Sequence, residues 1–136
     1  LEDSGLMVSR RGHAIRFTTQ QERSVQGLLA RFAASPYAPP SIKETQAEVG
    51  EDVYDALLDQ GELVPVSDEV VFRREDYERM VREVRGLLDR QATIAAAQVR
   101  DHFDTSRRYV LALLEHLDRI GVTVREGDVR RLKQTR

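Results

Sequence analysis

Cysteine is absent from this chain of 136 residues. That excludes disulfides and thiolate metal sites and leaves no thiol redox chemistry. Uninterrupted apolar runs are short: the longest, Tyr109 to Leu114, is six residues, against the ~18 needed to cross a bilayer. No membrane partner is expected. No signal peptide opens the chain, so the expected location is cytoplasmic. The first residue is Leu1 rather than Met, which points to a piece of something longer. No nucleophile with a base and an orienting group stands out, nor a carboxylate pair, and no enzymatic activity is expected. The three histidines, His13, His102 and His116, are far apart. His102 and His116 can approach in space, but two histidines without a carboxylate orienter are poor grounds for a metal site. The reading packs His102 between helices and assigns no metal and no cofactor.

What remains is an ordinary apolar fraction of 40% with 32% charge, enough of each for a folded chain rather than a disordered one. The charge is unevenly placed. From Thr105 to Arg136 there are eight Lys/Arg against four Asp/Glu, while the first 104 residues hold 13 against 19. A basic end on an acidic chain marks a surface that meets polyanions.

Three segments share one pattern: a glycine, a short apolar strand, a polar turn, and a second strand ending on a large apolar residue. They run from Gly5 to Phe17, Gly61 to Phe72 and Gly121 to Leu132. The opening glycines lie 56 and 60 residues apart, the mark of a repeated unit. The last two hairpins each follow an Ala-Leu-Leu helix, at Asp55–Asp59 and Leu111–Glu115, preceded by a short helix and a longer one. The longer helices are expected over 19–32 and 75–90. Tyr77, Met80, Val81, Val84, Leu87 and Leu88 recur at helical spacing in the second as a buried stripe. Thr18 or Thr19 with Glu22 suggests a capping box, and the Ser35-Pro-Tyr-Ala-Pro-Pro40 stretch ends the first helix.

The fold expected is therefore mainly α with small antiparallel β-wings, as tandem winged-helix domains, a helix-turn-helix variant. Residues 18–74 and 75–136 form two units. Residues 1–17 are read as the terminal hairpin of a preceding unit.

In the terminal unit, Thr105 is expected to cap a helix whose first turn holds Ser106, Arg107 and Arg108. Free backbone N–H groups and the helix dipole attract phosphate there, and guanidiniums add bidentate donors. The alternative is that both arginines pair with Asp101 or Asp104. Tyr109 either stacks on an extruded base or covers the core edge. Val110, Leu113, Leu114 and Leu117, with Ile120 close behind, form the buried face of this helix. The wing brings Arg125, Arg130, Arg131 and Lys133 within reach of the same ligand, Gly127 permitting its tight turn. Strand alternation makes Arg130 and Arg131 face opposite ways, without saying which faces out. Basic residues that merely blunt a sheet edge are the plainer reading. The preceding unit places Glu51, Asp52, Asp55 and Asp59 on the equivalent helix and Asp68-Glu69 in its wing. It repels phosphate and reads as a spacer. A solvated surface is the first reading of Lys43, Glu44 and the Glu51-Asp52 pair, a basic ribosomal protein the second.

The run from Phe103 to Leu132, with Thr105-Ser-Arg-Arg-Tyr109, Leu113-Leu-Glu115, Asp118-Arg119 and Arg125-Glu-Gly-Asp128, resembles the last winged-helix domain of the bacterial selenocysteine-specific elongation factor. The likeness is ungapped over about 30 residues; residues 18–100 are similar only in outline. It implies four tandem winged helices behind a translational GTPase, the last gripping an mRNA hairpin so that UGA is read as selenocysteine. No Gly-x-x-x-x-Gly-Lys-Ser/Thr loop is present, so GTP would belong to the parent factor, as would contact with the ribosome. A monomer is expected. The competing readings are a winged-helix DNA-binding transcriptional regulator, which usually dimerises, and an adaptor whose basic face meets an acidic protein.

Overall fold

The computed structural model describes residues 6–8 and 14–134, with side-chain surroundings from Phe17 onward. It divides into two compact units, Leu1–Arg74 and Glu75–Arg136. No helix among the described residues is long and apolar enough to cross a membrane.

In the first unit β1 (Leu6–Val8) pairs antiparallel with β2 (Ala14–Arg16), Leu6 opposite Arg16. Helix α1 (Thr19–Ala34) starts at Thr18, whose hydroxyl accepts from the Gln21 N–H at 3.0 Å while Gln21 accepts from the Thr18 N–H at 2.8 Å. Gln21, not Glu22, closes the capping box, because the reciprocal bond needs the third helical residue. Ser41 and Glu44 repeat the device at α2 (Ile42–Val49). Gly50, at φ 90° and ψ 155°, turns the chain directly into α3 (Glu51–Asp59). Only glycine occupies that backbone region readily. The wing is β3 (Leu63–Pro65) against β4 (Val71–Arg73), with Leu63 opposite Arg73. Leu28, Phe32, Val53, Tyr54, Leu57, Leu63 and Val71 fill the core. Phe17, expected to belong to the preceding hairpin, is buried in that same core.

The second unit opens with α4 (Arg74–Gln91). Met80, Val84, Leu87 and Leu88 of the expected stripe are buried, while Tyr77 and Val81 are half-buried and Asp76 is buried beside them. Ala92 adopts φ 66° and breaks the helix. Residues 94–95 then form β5 (Ile94–Ala95), which leads straight into α5 (Ala96–Phe103). Helix α6 (Arg107–Arg119) is followed by β6 (Thr123–Glu126) and β7 (Val129–Leu132). The sheet order is β5-β7-β6, so the wing has a third strand where a hairpin was expected. Val110, Leu113, Leu114 and Leu117 of α6 are fully buried, as expected from their spacing. Ile120 is not with them. It is 54% exposed, because the helix ends there and Gly121, at φ 83°, swings the chain away.

Candidate nucleic-acid interface

The basic residues of the last unit are presented by two elements, the start of α6 and the wing. Helix α5 closes on Asp104 in the left-handed region (φ 53°, ψ 51°), and the Thr105 N–H bonds the Arg100 carbonyl at 3.1 Å. Thr105 therefore belongs to the turn. Ser106 is the residue that caps α6, and its side chain makes no capping bond. The expected cap was one residue too early, because Asp104 completes the turn before Thr105 is reached. Ser106 offers its carbonyl to the Tyr109 and Val110 N–H groups at 3.2 and 3.3 Å. The start of α6 lies at the positive end of the helix dipole, and the Ser106 hydroxyl there makes no capping bond.

No acidic residue stands in the first turn of α6, whereas Glu22, Glu44, Glu51-Asp52 and Glu75-Asp76 occupy the first turns of α1 to α4. Arg107 and Arg108 are there instead, against the preference of an isolated helix. Both are exposed. Arg107 has no ion pair among the described residues. The Arg108 guanidinium lies 5.4 Å from the ring centre of Tyr109, within cation–π range. Tyr109 itself is half-buried. Asp101, considered above as a partner for these arginines, is taken by Arg100 at 3.2 Å.

In the wing, Arg125 is exposed and its Nε donates to the Gly127 carbonyl at 2.9 Å, with Gly127 at φ 64°. Arg131 pairs with Glu126 across the hairpin and also donates to the Leu132 carbonyl at 3.3 Å. Arg130 must be withdrawn from the interface. It is 3% exposed and its Nε and Nη2 donate to Asp118 Oδ2 at 3.2 and 3.0 Å. The expectation that Arg130 and Arg131 face opposite ways holds, with Arg130 inward. Lys133 is exposed but misplaced for the purpose. Its Nζ lies 4.0 Å from where a Cβ on Gly121 would stand, at the far end of α6. At ~1.5 Å per residue that is roughly 20 Å from Arg107. It complements the carboxyl end of the dipole instead. The basic residues that remain accessible are Arg107 and Arg108 on the helix start and Arg125 at the wing tip, with Arg131 paired to Glu126.

The histidines are used elsewhere. His102 is exposed, and its Nε2 meets Glu83 at 2.7 Å. It bridges α5 to α4 from outside, not from between them, since a carboxylate is available at the surface. His116 Nε2 lies 2.8 Å from the Tyr77 hydroxyl, with the rings edge to face. Burial first, and Arg119 second, hold the His116 imidazolium below the ordinary histidine range of about 6.5. The folded unit therefore favours the neutral ring. Its contribution to stability is complete above pH 6.5 and is lost as pH falls through the lowered folded value. Thermal melts between pH 7.5 and 5 are expected to show stability falling with pH, with a shallower fall in His116→Gln. Equal slopes in the two proteins would remove His116 as the cause.

Residues 86–132 match a family described as elongation factor SelB, winged helix. The selenocysteine-specific elongation factor of Desulfomicrobium baculatum is 22% identical over 129 residues, covering 90% of this chain and 20% of that protein. The chain thus spans about a fifth of that relative's length. Among solved structures, the mRNA-binding domain of elongation factor SelB from E. coli, in complex with SECIS RNA, superposes with a TM-score of 0.62 at 23% identity. That match covers 87% of this chain and 100% of the other. A bacterial selenocysteine-specific elongation factor, EF-Sec, gives 0.67 at 20% identity over 96% of this chain and 22% of the other. Both likenesses are of fold.

Proposed function

We propose that this chain, a C-terminal winged-helix region of the SelB elongation-factor type, binds an mRNA hairpin through its terminal unit and so recruits its parent factor for selenocysteine incorporation at UGA. The observation that carries the reading is the start of α6: a first turn without an acidic residue, with Arg107 exposed and without an ion pair among the described residues, beside Arg108 and Tyr109. Phosphates and one or two splayed bases suit such a site, because the deep, narrow groove of A-form RNA does not admit a helix. Thr105 and Ser106 offer backbone and hydroxyl contacts beside it, and Arg125 reaches the backbone from the wing tip. The helix equivalent to α6 in the first unit, α3, begins with exposed Glu51 and Asp52. That unit serves as a spacer. GTP, the ribosome and the cytoplasmic setting of translation belong to the parent factor, and the fragment itself acts as a monomer.

Titration of the chain with the selenoprotein-message hairpin of its own source, a loop-scrambled hairpin and a DNA duplex tests this. The hairpin is expected to bind in the nanomolar-to-micromolar range and to weaken linearly in log–log salt plots. Equal competition by duplex DNA would favour the regulator, and no shift of any nucleic acid at low salt would favour the protein adaptor.

A further inference from the structure

The geometry points to Asp118, Thr123 and Arg130 as positioning residues that set the wing on α6 for RNA binding without touching RNA; the inference rests on the hairpin-binding reading above. Asp118 lies in the last turn of α6. Its Oδ1 accepts from the Thr123 hydroxyl at 2.6 Å, and its Oδ2 takes both Arg130 nitrogens. Thr123 and Arg130 are 2% and 3% exposed. Arg130 stands on the central strand, opposite Arg125 of β6 and Ile94 of β5. One carboxylate therefore ties the end of α6 to the first residue of β6 and to the middle of β7. Through the ladder it also reaches the strand that opens α5.

Stability alone does not explain the network. The desolvation cost of a buried ion pair offsets most of its attraction, and apolar residues of similar volume often serve as well. The first unit shows the apolar solution. At the end of α3 the Gly61 N–H bonds the Leu58 carbonyl and the Glu62 N–H bonds the Leu57 carbonyl, at 3.0 and 2.9 Å. At the end of α6, Gly121 bonds Asp118 and Val122 bonds Leu117, at 3.2 and 2.9 Å. The two glycines share φ values of 77° and 83°. This common frame places Leu58 where Asp118 stands. The strand registers, Leu63 with Arg73 and Thr123 with Leu132, then place Leu63 at Thr123 and Val71 at Arg130. Leu63 and Val71 are buried in the first core, with Leu58 packed against it. The acidic unit thus closes its wing with three aliphatic side chains, and the basic unit with directed, charge-assisted bonds. A guanidinium on a carboxylate holds an angle that aliphatic packing does not, and the wing it holds carries Arg125.

The test transplants the apolar junction: Asp118→Leu with Thr123→Leu and Arg130→Val. The circular dichroism spectrum is expected to be retained, while hairpin affinity falls about tenfold through weakened preorganisation, with the slope of log K against log salt unchanged. Asp118→Asn is the second variant, and decides the matter should the triple variant fail to fold. By Coulomb's law, removal of a negative charge from the unit leaves RNA binding unchanged or tighter, whereas loss of positioning weakens it. Weaker binding in Asp118→Asn supports the inference. Tighter or unchanged binding there overturns it, as does a salt slope reduced by about one in the triple variant, which marks one phosphate fewer in the interface. Failure of the unaltered chain to bind the hairpin would instead strike the hairpin-binding reading itself.

Discussion

Reversing both charges at the start of α6, Arg107→Glu with Arg108→Glu, is expected to lower hairpin affinity by at least ~100-fold at moderate salt, since phosphate neutralisation dominates such affinities. Two attractive groups become repulsive at one point of the surface, well inside a Debye length of ~10 Å. The salt dependence should flatten as well, by roughly 0.7 to 0.9 for each phosphate that is no longer neutralised. Stability should move the other way. Both side chains are exposed, and the buried stripe of Val110, Leu113, Leu114 and Leu117 is untouched. Glutamates at a helix start complement its dipole, which stabilises by about 0.3–1 kcal/mol each. A variant that melts no lower than the unaltered protein yet fails to hold the hairpin places the effect in the interface. Retained binding in a folded variant would remove the helix-end site.

The second large effect separates the two units. Leu57 and Leu117 occupy the same place, one turn before the glycine that ends each third helix, and both are fully buried. Truncating a buried leucine to alanine costs about 2–5 kcal/mol, the forfeited transfer energy plus the cavity left behind. A unit of about sixty residues is stable by only ~3–9 kcal/mol. Leu117→Ala is expected to lower the melting temperature of the terminal unit by ~10–20 °C and, at 37 °C, to abolish most hairpin binding. Leu57→Ala is expected to melt the first unit equally early while leaving affinity within about twofold at 25 °C, since the proposed spacer role gives the acidic unit no phosphate contacts. Equal loss of binding in both variants, each measured below its melting point, would contradict the spacer role.

Much of the fold is legible in the residues because burial imposes periods. The apolar spacings along α4 and α6 forecast most of their buried faces, and the glycine-led hairpins forecast both wings. Strand β5 escaped because two residues carry no period, and Ile94 stands beside an alanine run that reads as helix. The helix start shifted by one residue because Thr105 and Ser106 are both good caps, and spacing alone does not say which follows the left-handed turn at Asp104. Arg130 is the instructive miss. Alternation pairs it with Leu132 and pairs Arg131 with Val129, so each face of β7 holds one arginine and one apolar residue. The deciding residue, Asp118, lies twelve positions earlier on a different element. Comparison with the first unit carried the signal, since Leu58 and Val71 are aliphatic where Asp118 and Arg130 are charged.

Backbone amide shifts of the isotope-labelled chain, followed by NMR while the message hairpin is added, test the central claim most directly. The account predicts the largest changes from Thr105 to Tyr109, with a second group at the wing tip from Arg125 to Asp128, and little change along Glu51–Asp59. Changes centred on the acidic helix, or none at the start of α6 under saturating RNA, would contradict it.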